Sequence, residues 1–453
     1  SAGLILGGQW AYEELGWGGF WAWDPVENAA FMPWLTGTAF LHSVMIQEKR
    51  NMLKIWNVVL IILTFGLTIV GTFLTRSGII NSVHAFTQSE IGPAFLIFLA
   101  FILVIGFGLL FKRIQMLESE HKIESVLCRE NAFLAQNVLL VGIAFTVLLG
   151  TTFPLLAEAV RGTKLSIQAP FFNTIIAPMG YLLLLLMGIG TLIAWRKSSW
   201  EGLQRNFKNP LILATAGTVF LAWFLADRDL LWSVHTIFWL TIFVTSTIVL
   251  EIVKAVQAKS SQTKSNYIMA LFYVIARNPR RYGGLLIHFG VVLMFLGFAG
   301  TFFKVERNMT LESGVPQEIG EYSLEFKQME EFKVGNATHR AAIVNVFDKE
   351  GNFLEVLKPA KSFYPTQPQP LTEVAIRRSF LEDLYLIFSS ENGGEQDSIT
   401  LRVFINPLVG WAWMALPVFT LGVGLSMSYR PKSLVAHETI LRERYLAAQA
   451  LNS

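Results

Sequence analysis

Nine apolar runs constrain this chain more than any other feature. They fall at 25–48, 55–75, 91–111, 132–154, 173–195, 210–226, 232–253, 282–303 and 405–428. Each is long enough to carry a helix across about 30 Å of hydrocarbon. Hydrophobic residues make up 53% of the chain and charged residues 15%, which places it in a bilayer. The connecting segments 49–54, 112–131, 196–209, 254–281 and 429–453 hold 21 of the 36 Lys and Arg residues, whereas 1–16, 76–90, 155–172 and 227–231 hold four. The positive-inside rule therefore puts the first set in the cytoplasm, and alternation through nine spans puts 304–404 outside. A net charge of +3, spread over loops, excludes nucleic acid as a partner; membrane lipid is the surrounding medium.

The predicted fold is an all-α polytopic membrane protein with a small β-rich periplasmic domain. Residues 1–16 read as the tail of a helix already under way. Residues 25–303 form an eight-span domain, 405–428 a final span and 429–453 a cytoplasmic tail. The segment 304–404 alternates as short strands, with Arg340–Val346 and Asn352–Leu357 joined across Asp348-Lys349-Glu350-Gly351. A single cysteine, Cys128, excludes a disulfide framework, a CxxC pair and a CxxCH heme-attachment motif. The stretch Ala258–Asn266 reads as a polar linker.

Residues 17–34 hold six aromatic side chains, Trp17, Phe20, Trp21, Trp23, Phe31 and Trp34, where the average composition gives about two. Membrane-interface tryptophans account for some of them. The alternative is a flat apolar shelf for a macrocycle, with Gly18-Gly19 granting close approach and indole N–H groups facing its carboxylates. Asp24-Pro25-Val26-Glu27 reads as a capping box that starts the first complete span, with a role for Asp24 or Glu27 in docking a partner as the alternative.

His42 and His288 lie inside apolar runs, six residues from the cytoplasmic edges at Glu48 and Tyr282, so both are about 9 Å deep. Two neutral imidazoles at one level on antiparallel helices suit the axial positions of a heme iron; they equally suit interhelical hydrogen bonds or unrelated packing sites. His84 lies in an outer loop that opens with Arg76. His235 reads as packing, and His121, His339 and His437 as solvated surface residues.

The string WGGFWAWDPVENAAFMPWL resembles the signature of the WWD heme-handling proteins, most closely CcmF, a heme lyase family of system I cytochrome c maturation in bacteria. TRSGIINSVHAF, YGGLLIHFG and INPLVGWAW resemble the same family in order and spacing. Phe20 departs from the family, which usually has Trp there. Full-length members also carry further N-terminal spans and a second outer histidine upstream. The resemblance implies a resident bis-His heme b on His42 and His288. It implies an outer site where His84 is an axial ligand over the shelf of Trp17, Trp21, Trp23, Asp24 and Trp34, with Arg76 beside a propionate. The implied substrates are heme delivered by the heme chaperone CcmE and the CxxCH thiols of apocytochrome c, presented by CcmH/CcmI-type subunits. The implied location is the bacterial inner membrane, with the WWD segment and 304–404 in the periplasm. A one-heme quinol-linked redox protein, a heme transporter and a system II synthetase are the rival readings; 304–404 and INPLVGWAW favour CcmF over the last.

Overall fold

The computed structural model describes residues 1–77, 91–119, 123–163, 165, 167–226, 232–365, 369–392 and 398–429. Its helices are α1 (Ala2–Glu14), α2 (Pro25–Arg50), α3 (Lys54–Arg76), α4 (Gly92–Lys112), α5 (Arg129–Arg161), α6 (Ala169–Leu192), α7 (Trp200–Phe224), α8 (Trp232–Thr263), α9 (Tyr267–Arg277), α10 (Pro279–Ala299) and α11 (Val409–Met427). Among the described residues, nine helices are long and apolar enough to cross a membrane: all but α1 and α9.

Several helices outrun the apolar run that announces them, because backbone hydrogen bonding continues until a cap ends it. The fifth helix goes on to Arg161 and stops at Gly162, whose φ of +68° suits glycine. The eighth continues to Thr263, so the expected linker at Ala258–Asn266 is largely helix. Asn266 then accepts from Met269 N at 2.8 Å and starts α9, a helix absent from the sequence reading. That helix buries Ala270 and Val274 and exposes Ile268, Met269 and Phe272, as a helix at a membrane interface would.

The opposite correction applies at the last span. Its expected start at 405 is wrong, since Ile405–Pro407 close a strand and the helix begins at Val409. Strand and span are both apolar there, and hydropathy alone does not separate a sandwich core from lipid.

The strands are β1 (Val305–Glu312), β2 (Pro316–Ile319), β3 (Tyr322–Val334), β4 (Ala337–Asp348), β5 (Phe353–Leu357), β6 (Ala360–Phe363), β7 (Leu371–Glu373), β8 (Ala375–Arg377), β9 (Glu382–Asn392) and β10 (Ser398–Pro407). One sheet runs β1-β10-β9-β8 and the other β2-β3-β4-β6-β7, with β5 also on β4. All strand pairs are antiparallel. The predicted hairpin is present as β4 and β5, and Asp348 Oδ1 shapes its turn by accepting from Glu350 N and Asn352 N, both at 2.9 Å. Leu311, Leu324, Val344, Leu386 and Leu401 fill the space between the sheets.

This domain sits on the tryptophan-rich segment. Lys304 Nζ donates to Gly18 O at 2.7 Å and lies 4.2 Å from the Phe404 ring centre. Tyr12 OH donates to Asp383 at 3.3 Å and accepts from Asn406 Nδ2 at 3.0 Å, which ties α1 to β9 and β10. Burial pushes the Asp383 carboxyl up to about 6, against the pull of Ser379 N, Tyr12 and Arg378. The segment 17–24 and the sandwich therefore occupy the same end of the helical bundle.

Candidate functional site

Helix α2 carries residues of both candidate sites, so its start matters. Asp24 Oδ1 accepts from Val26 N at 2.9 Å, while Glu27 Oε2 accepts from Asp24 N and Ala22 N at 3.0 Å each. The capping box read from the sequence is thus formed. Met32, Leu35, Ala39 and Ile46 are buried on one side of the helix and fix its rotation against α3 and α5. The tenth helix packs instead on α11 and α8. Gly283 and Gly422 allow the α10–α11 approach: a Cβ on Gly283 would lie 2.5 Å from Gly422 O.

Across the space between these two groups of helices, the rings of His42 and His288 approach to 6.1 Å between centres, with planes 23° apart. His42 Nδ1 lies 2.9 Å from Thr38 O. A carbonyl only accepts, so Nδ1 carries the hydrogen and the neutral ring keeps its lone pair on Nε2. His288 Nδ1 is buried with no hydrogen-bond partner, which costs about 1–3 kcal/mol unless something outside the chain meets it. Two imidazoles bonded to one metal at about 2 Å have ring centres about 6 Å apart, so this pair could share a metal ion. Among the described residues no group of three or more His, Cys, Asp or Glu could hold a bare ion. Two ligands suffice when a macrocycle supplies the other four.

The wall beside the pair was not legible in the sequence. Phe133 of α5 stands edge-on to His42 at 5.6 Å, and Trp195 stands edge-on to Phe133 at 6.0 Å. The loop after α6 is latched to the start of α5, which places Trp195: Arg129 N donates to Ala194 O at 2.9 Å, and Ser198 N to Leu127 O at 3.0 Å. Cys128 is the α5 N-cap, its buried sulfur 3.4 Å from Asn131 N. That is a structural role.

The tryptophan-rich segment splits in two. Phe20 turns toward α10 and α11, 5.8 Å from both Phe298 and Trp413. Trp21, Trp23, Phe31 and Trp34 form the other group: Trp21 stands edge-on to Trp23 at 5.7 Å and to Phe31 at 5.6 Å, and Phe31 stacks on Trp34 at 5.7 Å. Trp23 also stacks on Phe172 at 5.0 Å. Two expectations need correcting here. The indole N–H groups of Trp23 and Trp34 are already engaged, with Asn173 Oδ1 at 2.8 Å and Ser1 Oγ at 3.0 Å, so they do not face outward for carboxylates. Gly18 serves the sandwich rather than a macrocycle: its φ is +67°, and a Cβ would lie 2.6 Å from the Phe404 ring. Gly19 does face open space, with nothing within 4 Å.

A further residue of the segment passed unnoticed in the sequence. Buried Asn28 donates to Trp23 O and to Thr151 Oγ1, both at 3.0 Å, and so holds Trp23 in its left-handed backbone at φ 59°. Trp17 is half-buried in the bend after α1, and Arg76 is exposed in the last turn of α3. His84 lies outside the described residues, as do His121 and His437. His235 packs beside Leu221 and Phe238. His339 is not a freely solvated residue as expected; it bonds Ser362 Oγ at 2.7 Å and stacks on Phe332 at 5.2 Å.

Comparisons with known proteins point one way. A family model described as cytochrome C assembly protein matches residues 1–80, and one described as CcmF C-terminal beta-sandwich matches 302–407. The cytochrome c-type biogenesis protein CcmF of Pseudomonas fluorescens is 36% identical over 415 residues, 91% of this chain and 60% of the relative. CcmF of Escherichia coli K12 is 34% identical over 442 residues, 95% of this chain and 64% of the relative. A solved structure, cytochrome c heme lyase CcmF, matches with a TM-score of 0.76 at 33% identity over 94% of this chain and 64% of that one. The chain spans about three-fifths of the length of the curated relatives it matches.

Proposed function

Because this chain belongs to the CcmF family, we propose that it is the heme-handling part of a cytochrome c heme lyase in the bacterial inner membrane. Its substrates are heme, brought to the outer face by a chaperone of the CcmE type, and the CxxCH thiols of an apocytochrome c presented by CcmH/CcmI-type subunits. Each thiol S–H adds across one vinyl C=C, so no group leaves and the chain needs no nucleophile of its own. Its work is positioning. Trp21, Trp23, Phe31 and Trp34 offer an aromatic surface, Trp17 and Asp24 belong to the same segment, Arg76 stands beside a propionate, and His84 is the axial ligand for the incoming substrate.

On the inner side, His42 and His288 hold a resident heme b, which when bound supplies one-electron chemistry to keep the substrate iron ferrous. The hydrogen bond from His42 Nδ1 to Thr38 O orients that ring, and the apolar spans around the pair exclude water.

One observation carries this reading: two histidines from separate helices meet at 6.1 Å, His42 with Nδ1 engaged by Thr38 O and His288 with Nδ1 lacking a partner. The test is the absorption spectrum of the detergent-purified protein beside His42→Ala and His288→Ala. We expect a low-spin b-type spectrum that both substitutions abolish. An unchanged spectrum in either variant removes that histidine from the site.

A further inference from the structure

The cytoplasmic ends of the helices that carry the two histidines hold more positive charge than the chain neutralises. Lys49 is seven residues after His42 and Arg281 seven before His288, so each lies on its histidine's face about two turns, or 10 Å, toward the inner surface. Arg280 pairs with Glu48 at 2.9 Å, and Arg281 pairs with Glu251. Lys49 and Arg129 have no carboxylate within salt-bridge distance among the described residues. Both instead lie over the indole of Trp195, Lys49 Nζ at 4.6 Å and Arg129 Cζ at 5.4 Å from its centre. Arg129 Nη2 donates to Thr191 O at 2.9 Å, yet its Nε is buried without a partner.

Two like charges gathered on one indole repel each other, and an unpartnered guanidinium nitrogen adds to the cost. The arrangement is reasonable if an anion with more than one charge completes it. Trp195 touches Phe133, and Phe133 touches His42, so a continuous aromatic wall runs from the histidine pair to the two cations. On the facing helix, Gly284 lies one turn from His288 toward the same end, and a Cβ there would meet nothing within 4 Å.

Resting on the heme b reading above, we propose that Lys49 and Arg129 bind the two carboxylates at the edge of the macrocycle held by His42 and His288. The pair sets which edge faces the cytoplasm, and Trp195 holds both cations in place. A lipid phosphate is the other anion that such a pair attracts at this depth.

The test compares binding of protoheme and its dimethyl ester to heme-depleted, detergent-purified protein, followed by the b-type spectrum, for the unmodified chain, Lys49→Gln, Arg129→Gln and Lys112→Gln. Lys112, at the end of α4, controls for loss of any inner-face charge. The unmodified chain and Lys112→Gln should prefer the free acid by about fivefold or more. In Lys49→Gln that preference should shrink while the spectrum of the bound form persists. Arg129→Gln should behave likewise, and Arg129→Lys should recover part of the preference. Equal binding of acid and ester by the unmodified chain, or an unaltered preference in Lys49→Gln, overturns the proposal. So does a Lys49→Gln effect seen only when anionic lipid is present. Failure of the unmodified chain to give a b-type spectrum with either ligand would instead overturn the His42–His288 assignment itself.

Discussion

Substituting Gly18 should unseat the sandwich from the membrane domain, while the same change at Gly19 should not. Gly18 has φ +67°, a region that costs a non-glycine residue about 1–2 kcal/mol. Its Cβ would also fall 2.6–2.7 Å from three Phe404 ring atoms. That ring cannot step aside: Phe404 is fully buried, edge-on to Tyr385 at 5.7 Å, with Lys304 and Arg402 4.2 and 4.9 Å from its centre. Overpacking of this kind adds about 1–3 kcal/mol, so Gly18→Ala should lose about 2–5 kcal/mol. Gly19 has an ordinary φ and open space around it, and Gly19→Ala should stay within about 0.5 kcal/mol of the parent. The assay is thermal unfolding in detergent, with limited proteolysis across 15–24 as a local probe. Adding Phe404→Leu to Gly18→Ala separates the two causes, because it relieves the clash and leaves the backbone term. Equal midpoints and equal cleavage for the two alanine variants would refute the argument that this glycine is a seat for the sandwich.

Two other substitutions test the same end of the molecule. Asn28→Ala removes both bonds that hold Trp23 O and Thr151 Oγ1 and should lower stability by about 1–3 kcal/mol, read by thermal unfolding together with a change in tryptophan emission; unchanged emission would mean that Trp23 keeps its place without it. Asp383, pushed up to about 6 from an ordinary 3.8, keeps its proton more readily folded than unfolded. Its stabilising share is therefore complete below about pH 3.8 and fades as pH rises through 6. Asp383→Asn keeps an acceptor for Tyr12 and Ser379 but carries no charge, so it should be more stable than the parent at pH 8 and should flatten the slope between pH 4 and 6. A steeper slope in the variant would contradict the sign.

What could be read from the chain follows a physical rule. Features set by local hydrogen bonding or by hydropathy over one helix length were legible: the spans, the Asp24–Glu27 box and the β4–β5 hairpin. Helix ends were not, because α5 and α8 continue as helices into polar sequence. The short α9 falls below the length at which hydropathy announces a span. His42 and His288 could be matched by depth, since rise per residue is a constant of the helix. Trp195, Phe133, Lys49 and Arg129 could not, for they come from three segments that only tertiary packing brings together. Composition also misled: an aromatic-rich segment with a glycine pair suggested a single shelf, whereas Phe20 and Gly18 serve the contact with the sandwich.

Helix α2 explains why both candidate sites can be set by one element. Phe31, His42 and Lys49 are separated by eleven and seven residues, near multiples of the helical repeat, and so share one stripe along it. The stripe runs from the aromatic group at its start, through the histidine that meets His288, to the cation over Trp195. The capping box fixes where the stripe begins, and the buried face against α3 and α5 fixes its direction. Phe31 to His42 is about 16 Å along the axis, with Pro33 between the Asp24 cap and His42. That axis is a single 26-residue helix whose start is written in the same motif that supplies Trp21 and Trp23.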